Sequence, residues 1–372
     1  MDGGGTLAGS DLPVYDGDNN DRLSRPGRNL ARAGFDITTL RDCDDSPPVT
    51  LGDLGGSDFQ ITVAFDCPHR VAAGNVVVVP PLSGVLPGIV RGLILGLLPR
   101  YRVLVPEWIN PRFVPLAAGR FGLGHNISSV IHTLRLAGPG AGLVSLCQSG
   151  VPALAAAAVM EAADDPAAPG ALALLGAPID AAANPTGLTR HLASLTPAQL
   201  RLIFSPVSLG YPGAGRLVYS AGLQRALTIA ARAYIPPGFG WSPFPQMAEV
   251  AELPLAEHIR VMVDIDARHY RENIDAVFRR RALATGGLVH DDGVVDPAAI
   301  RRCAILVIEG ASDRIIAPGQ TSAVHTLCPD LPDSRRRTVL APGCNHLSLF
   351  RGEGFERHVL PVMMDAFGRW LG

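Results

Sequence analysis

Val144-Ser145-Leu146-Cys147-Gln148-Ser149-Gly150-Val151-Pro152 is the stretch on which the reading of this chain turns. Residues 141–146 form a short apolar run suited to a strand, and 153–163 form an alanine-rich helical run. The backbone between them must turn sharply around Cys147. The residues two before and two after it, Ser145 and Ser149, are both small. Small-x-nucleophile-x-small between a strand and a helix is the pattern of a nucleophile elbow, where the strained turn leaves little room for neighbouring side chains. Pro152 suits the first turn of the helix, where its missing N–H is no loss. The helix N-terminus then points at Cys147 and favours a thiolate. The plainer reading is a buried structural cysteine at a strand end, so the rest of the chain has to decide.

Working outward, buried strands and helices alternate on both sides of this turn. Residues 61–65 read as a first strand, and 76–79 as a continuous apolar strand ending in Pro80-Pro81-Leu82-Ser83-Gly84. A helix over 88–98 follows, then a strand over 101–105, a helix over 126–136 and a strand over 171–175. After a long interruption come a strand over 303–308, a helix over 319–328, a strand over 337–340 and a final helical segment over 355–371. This alternation predicts an α/β fold with a mostly parallel central sheet and helices on both faces. Residues 1–55, rich in Gly, Asp, Asn, Ser and Pro, read as an irregular arm. Residues 56–180 and 300–372 form the core. Residues 181–299, mainly helical in pattern and dotted with aromatics, read as a cap inserted over the sheet. The stretch 234–244, with Pro236, Pro237 and Pro243 and with Pro245 just after it, reads as an exposed apolar loop.

Composition excludes several classes. The 372 residues are 47% hydrophobic and 18% charged, enough for a large core, and the net charge is -2. Every basic residue is arginine, and the arginines are spread along the chain, so no nucleic-acid surface is expected. The six cysteines show neither C-x-x-C nor zinc spacing, and no metal or cofactor is expected. With Cys147 set aside their number is odd, which points to a reducing compartment rather than a disulfide framework. No signal peptide or membrane-spanning stretch is expected.

Cys147, Asp313 and His346 each follow a strand, in the chain order nucleophile, acid, histidine of the α/β-hydrolase fold. Active sites of such sheets lie at the carboxyl edge of the strands. In this reading Cys147 attacks a carbonyl carbon, His346 takes its proton and returns one to the leaving oxygen, and Asp313 holds the imidazole tautomer. The oxyanion needs backbone donors: the N–H of Gln148, and that of Leu82 or Ser83, since Pro80 and Pro81 have none.

From residue 75 onward the sequence resembles the intracellular polyhydroxyalkanoate (polyhydroxybutyrate) depolymerases. The resemblance rests on Pro81-Leu82-Ser83-Gly84; Trp108 with Asn110 and Arg112; Val114-Pro115-Leu116; Gly119-Arg120-Phe121; and Leu146-Cys147-Gln148 with Val151-Pro152. It continues through Ala177-Pro178-Ile179-Asp180 with Asn184-Pro185-Thr186, Val295 to Arg302, Glu309-Gly310 to Asp313, Gly319-Gln320-Thr321, and Pro342-Gly343 with His346. It implies a cysteine nucleophile, a thioester acyl-enzyme, and hydrolysis of poly(3-hydroxybutyrate) and its oligomers at cytoplasmic storage granules. Val85 departs from the histidine expected there, and the N-terminal region is unlike the family's. Two other readings share the fold. One is an acyltransferase that passes the 3-hydroxyacyl group to a thiol such as coenzyme A, as in the synthases of the same polymer. The other is a non-catalytic granule-binding protein.

Overall fold

Eight strands form the central sheet of the computed structural model, which describes residue 37 and residues 47–82, 87–234 and 263–371. They are β1 (Thr50–Ser57), β2 (Gln60–Asp66), β3 (Asn75–Val79), β4 (Arg102–Trp108), β5 (Gly142–Leu146), β6 (Ala171–Leu175), β7 (Ala304–Gly310) and β8 (Arg336–Ala341). Their spatial order is β1-β2-β4-β3-β5-β6-β7-β8. From β4 to β8 every pairing is parallel; β2 runs antiparallel to both β1 and β4.

The central strands β5, β6 and β7 are buried along their whole length, which explains their unbroken apolar sequences. Alternate residues serve two separate cores. Val77, Val79, Leu143 and Leu174 face one side, with helices α2 (Leu123–Ala137) and α3 (Gly150–Ala162). Val76, Val78, Val144 and Leu175 face the other, with helices α1 (Pro87–Leu97) and α4 (Leu360–Trp370). Helix α3 is buried on nearly every side, and its alanines let it lie close to the sheet.

Three features differ from the sequence expectation. The sheet begins earlier, with β1 at Thr50, inside the stretch read as an irregular arm. Its glycines and exposed face hide the strand pattern, as suits an edge. Of the helix expected over 319–328, only Val324–Leu327 is α-helical. The N–H groups of Gly319, Thr321 and Ser322 donate instead to Glu309 Oε1 at 2.9, 2.9 and 3.0 Å, so a buried carboxylate at the end of β7 replaces a first helical turn. The cap is also not purely helical. Phe204–Pro206, Leu217–Tyr219 and Ile265–Asp266 make a small antiparallel sheet, too short to show a period. Tyr270 stands edge-on to Phe204 and Tyr219, so these aromatics are the cap's own core. The expected apolar loop over 234–244 lies outside the described residues, apart from the backbone of Tyr234 at the end of a helix.

Two arginines tie the cap to the loop after β4. Arg112 clasps Asp264 through two hydrogen bonds, Nε at 2.8 Å and Nη2 at 2.7 Å. Arg216, 2% exposed, donates to Asp266, to the carbonyls of Val114 and Pro115, and to that of Gly119, with its guanidinium over the Phe59 ring. Arg216→Leu leaves a buried carboxylate and three carbonyls without this donor. The expected loss is about 3–5 kcal/mol of unfolding free energy, read as a lower urea midpoint.

Candidate functional site

The chain passes from β5 into α3 through Cys147, whose φ is +51°, a conformation rare for a side-chain-bearing residue. Strain of this kind costs about 1–3 kcal/mol and must be held by its surroundings. Ser149 does part of that holding. Its Oγ accepts the N–H of Leu146 at 2.8 Å and lies 2.7 Å from the Val79 carbonyl at the end of β3. Gly150 does another part by absence of bulk, because a Cβ there would sit 2.3 Å from the Cβ of Ala177.

His346 and Asp313 come to the same edge from the loops after β8 and β7. His346 Nδ1 lies 2.7 Å from Asp313 Oδ2, and both residues are buried. Asp313 Oδ1 accepts the N–H groups of Ile315 and Ile316, both at 2.8 Å, which fixes the carboxylate plane. The imidazole also hydrogen-bonds Cys147. With Nδ1 on Asp313, Nε2 is the nitrogen left for the thiol. The ring is wedged between Phe350, edge-on at 5.0 Å between centroids, and Gly176, where a Cβ would come within 3.3 Å of the ring. Burial disfavours the imidazolium, yet the charges of Cys147 and Asp313 and the hydrogen bonds to both outweigh it. They hold His346 well above its ordinary pKa. Cys147 is half-buried, so its thiol is open to a substrate.

Of the expected oxyanion donors, Gln148 follows Cys147 at the start of the turn, half-buried. Leu82 is buried just beyond β3, next to Pro80, whose carbonyl accepts the Trp108 indole N–H at 3.4 Å. Ser83 lies outside the described residues. Two other histidines have partners of their own. His325 Nε2 lies 2.8 Å from Thr338 Oγ1, and His290 pairs with Asp291. Among the described residues, no cluster of three His, Cys, Asp or Glu is arranged to hold a metal.

The structure adds residues that the sequence did not mark. The cap helix Ala267–Asn273 lays Asn273 over the elbow, its Nδ2 3.4 Å from Gln148 Oε1. One turn earlier His269 is buried against Phe121. Burial lowers its pKa to about 4, against the raising effect of its Gly122 backbone bond and Glu272. A depressed base leaves the folded state uncharged while the unfolded chain takes up a proton. This part of the stability is therefore complete above the ordinary value of 6.5 and is lost as pH falls toward 4. The loss should reach about 3 kcal/mol. Urea midpoints measured from pH 7 to pH 4 should show it in the wild type and not in His269→Phe. In one sequence, a His and an Asn four residues apart in a cap give no signal beyond a shared helix face.

Residues 248–369 match the family model described as "PHB de-polymerase C-terminus". No curated protein matches the chain. Among solved structures, the chain is similar to a hydrolase from Pseudomonas aeruginosa PA01, at 16% identity and a TM-score of 0.50, covering 86% of this chain and 98% of that one. It is also similar to a hypothetical protein from Pseudomonas aeruginosa, at 12% identity and a TM-score of 0.51, covering 89% and 96%. These likenesses concern the fold. The matched region includes Asp313 and His346 and completes an α/β-hydrolase fold.

Proposed function

We propose that the protein is a poly(3-hydroxybutyrate) depolymerase with Cys147 as nucleophile, His346 as general base and acid, and Asp313 as the group that orients it. The observation that carries this reading is the chain of hydrogen bonds Cys147–His346–Asp313 at the carboxyl edge of the sheet, with Cys147 held at φ +51°. Cys147 Sγ bonds to an ester carbonyl carbon, and its proton passes to His346 Nε2. The backbone N–H groups of Gln148 and of Leu82 or Ser83 stabilise the oxyanion. The carbon–alkoxy bond then breaks, and His346 hands the proton to the leaving alcohol. Water, deprotonated by His346, opens the thioester and frees a 3-hydroxy acid.

A solid polymer must meet the enzyme at its surface. Leu202, Leu209 and Leu217 are exposed at 84%, 94% and 43% along the cap hairpin formed by Phe204–Pro206 and Leu217–Tyr219. We assign this edge to contact with the apolar granule, and its exposed leucines support a location at cytoplasmic storage granules. The experiment is release of 3-hydroxybutyrate and its oligomers from amorphous granules, with coenzyme A present and absent. Free acid in both cases is the expected result. A coenzyme A thioester as the main product would make the enzyme an acyltransferase. Granule binding without any turnover would make it a binding protein.

A further inference from the structure

Asp313 sits in a stretch with no regular structure of its own. Between the end of β7 at Gly310 and the helical turn Val324–Leu327, the chain makes only turns and bends. The N–H groups of Ile315 and Ile316 both point at Asp313 Oδ1, so they hold the carboxylate rather than the loop. A loop of this kind keeps its shape only through ties to its neighbours.

Those ties come from the segment that leaves β6 for the cap. Asn184 Nδ2 donates to the Pro318 carbonyl at 2.8 Å, and Gln320 Nε2 donates back to the Asn184 carbonyl at 2.7 Å. The Asp180 N–H donates to the Gln320 carbonyl at 3.0 Å, and the Ala177 N–H to Thr321 Oγ1 at 2.9 Å. Nearest the acid, Thr186 Oγ1 donates to the Ile315 carbonyl at 3.0 Å. The same oxygen accepts the Thr189 N–H at 3.1 Å, as the N-cap of the short helix Gly187–Ser194. The rival acceptor for its proton, Thr189 Oγ1, is farther away at 3.3 Å and already accepts the Thr186 N–H.

The Ile315 carbonyl and the Ile316 N–H belong to one peptide group. That group is planar and trans, so its two ends point in opposite directions. Thr186 grips one end, and Asp313 Oδ1 takes the other. A donor on the carbonyl also polarises the amide and strengthens the bond its N–H makes. We infer that Thr186 is a positioning residue for the triad: through the Ile315–Ile316 peptide it sets the plane of the Asp313 carboxylate, and so the angle at which Oδ2 meets His346 Nδ1. This rests on the depolymerase reading. Thr186 acts only through that peptide, and no proton of the reaction passes through it. The way into the cap and the catalytic acid are thereby held in one register.

The test compares Thr186→Gly with Thr186→Ser. Glycine is nearly as good an N-cap as threonine, so the first variant keeps the helix and loses the tie. Serine keeps both. With p-nitrophenyl butyrate as substrate, Thr186→Gly should lose about 10- to 100-fold in kcat with KM little changed. Thr186→Ser should keep most of the rate. Thr189→Val is the control for a merely structural role. It breaks the bond from the Thr186 N–H but spares the tie to Ile315, so its kcat should stay near that of the wild type. The proton NMR resonance of His346 Nδ1–H reports the bond to Asp313 and needs no turnover. It should move upfield in Thr186→Gly and stay in place in Thr186→Ser. An unmoved resonance in Thr186→Gly overturns the inference. Equal losses of kcat in Thr186→Gly and Thr189→Val also overturn it, since Thr186 would then be a helix cap and no more. If the wild type hydrolyses neither polymer nor small ester, the depolymerase reading fails by itself, and the resonance still decides whether Thr186 positions Asp313.

Discussion

Cys147→Ala should lower kcat for polyester and small-ester hydrolysis by about 10⁴-fold or more, the scale seen when the nucleophile of a triad is removed. The reason is chemical rather than structural. Alanine accepts φ +51° no worse than cysteine, the Ser149 bridge between Leu146 and Val79 does not involve the thiol, and the half-buried side chain packs only against the margin of a core. The melting temperature should therefore stay close to that of the wild type. His346 loses the neighbouring charge that raises its pKa, so its NMR titration should move to lower pH in the variant. Residual activity would come from the oxyanion donors and binding alone. Equal rates in wild type and variant would exclude Cys147 as the nucleophile and leave the φ of +51° without a catalytic purpose.

Asp313→Asn should cost nearly as much, about 10⁴-fold in kcat, through the tautomer of one ring. In the wild type, Oδ2 accepts from His346, so Nδ1 keeps its proton and Nε2 is the nitrogen that exchanges a proton with the thiol. The Ile315 and Ile316 N–H groups both point at Oδ1. In the asparagine variant those two donors select the amide oxygen, which turns the NH₂ toward His346. A donor now faces Nδ1, the ring carries its proton on Nε2, and the general base is lost while the fold is kept. Recovery of activity at high pH, where the thiol ionises without help, is the expected signature; kcat against pH checks it. An unchanged profile would mean that Asp313 does not set the tautomer.

Much of this was legible in the residues themselves. The elbow could be read because strain at one position demands small neighbours, and Ser145 and Ser149 supply them locally. The central strands could be read because burial on both faces needs uninterrupted apolar sequence, as in Asn75–Val79 and Ala171–Leu175. The order Cys147, Asp313, His346 could be read because each follows such a strand. Where the pattern depends on a distant partner, reading fails. The turn at Gly319 replaces a helix because Glu309, ten residues away, captures its N–H groups. The edge strand Thr50–Ser57 carries no apolar period because, among the described residues, one of its sides has no neighbouring strand.

The sequence by itself determined the sheet and the elbow and pointed to Cys147, Asp313 and His346 as candidates, since local sterics and hydrophobic periodicity act between near neighbours. Only the tertiary structure decided what surrounds them. The pairing of His346 with Asp313 spans 33 residues, that of Arg112 with Asp264 spans 152, and that of Asn273 with Gln148 spans 125. The burial of His269 against Phe121 arises only when the chain has closed around it. Burial is a property of the packed molecule, and no stretch of sequence carries it.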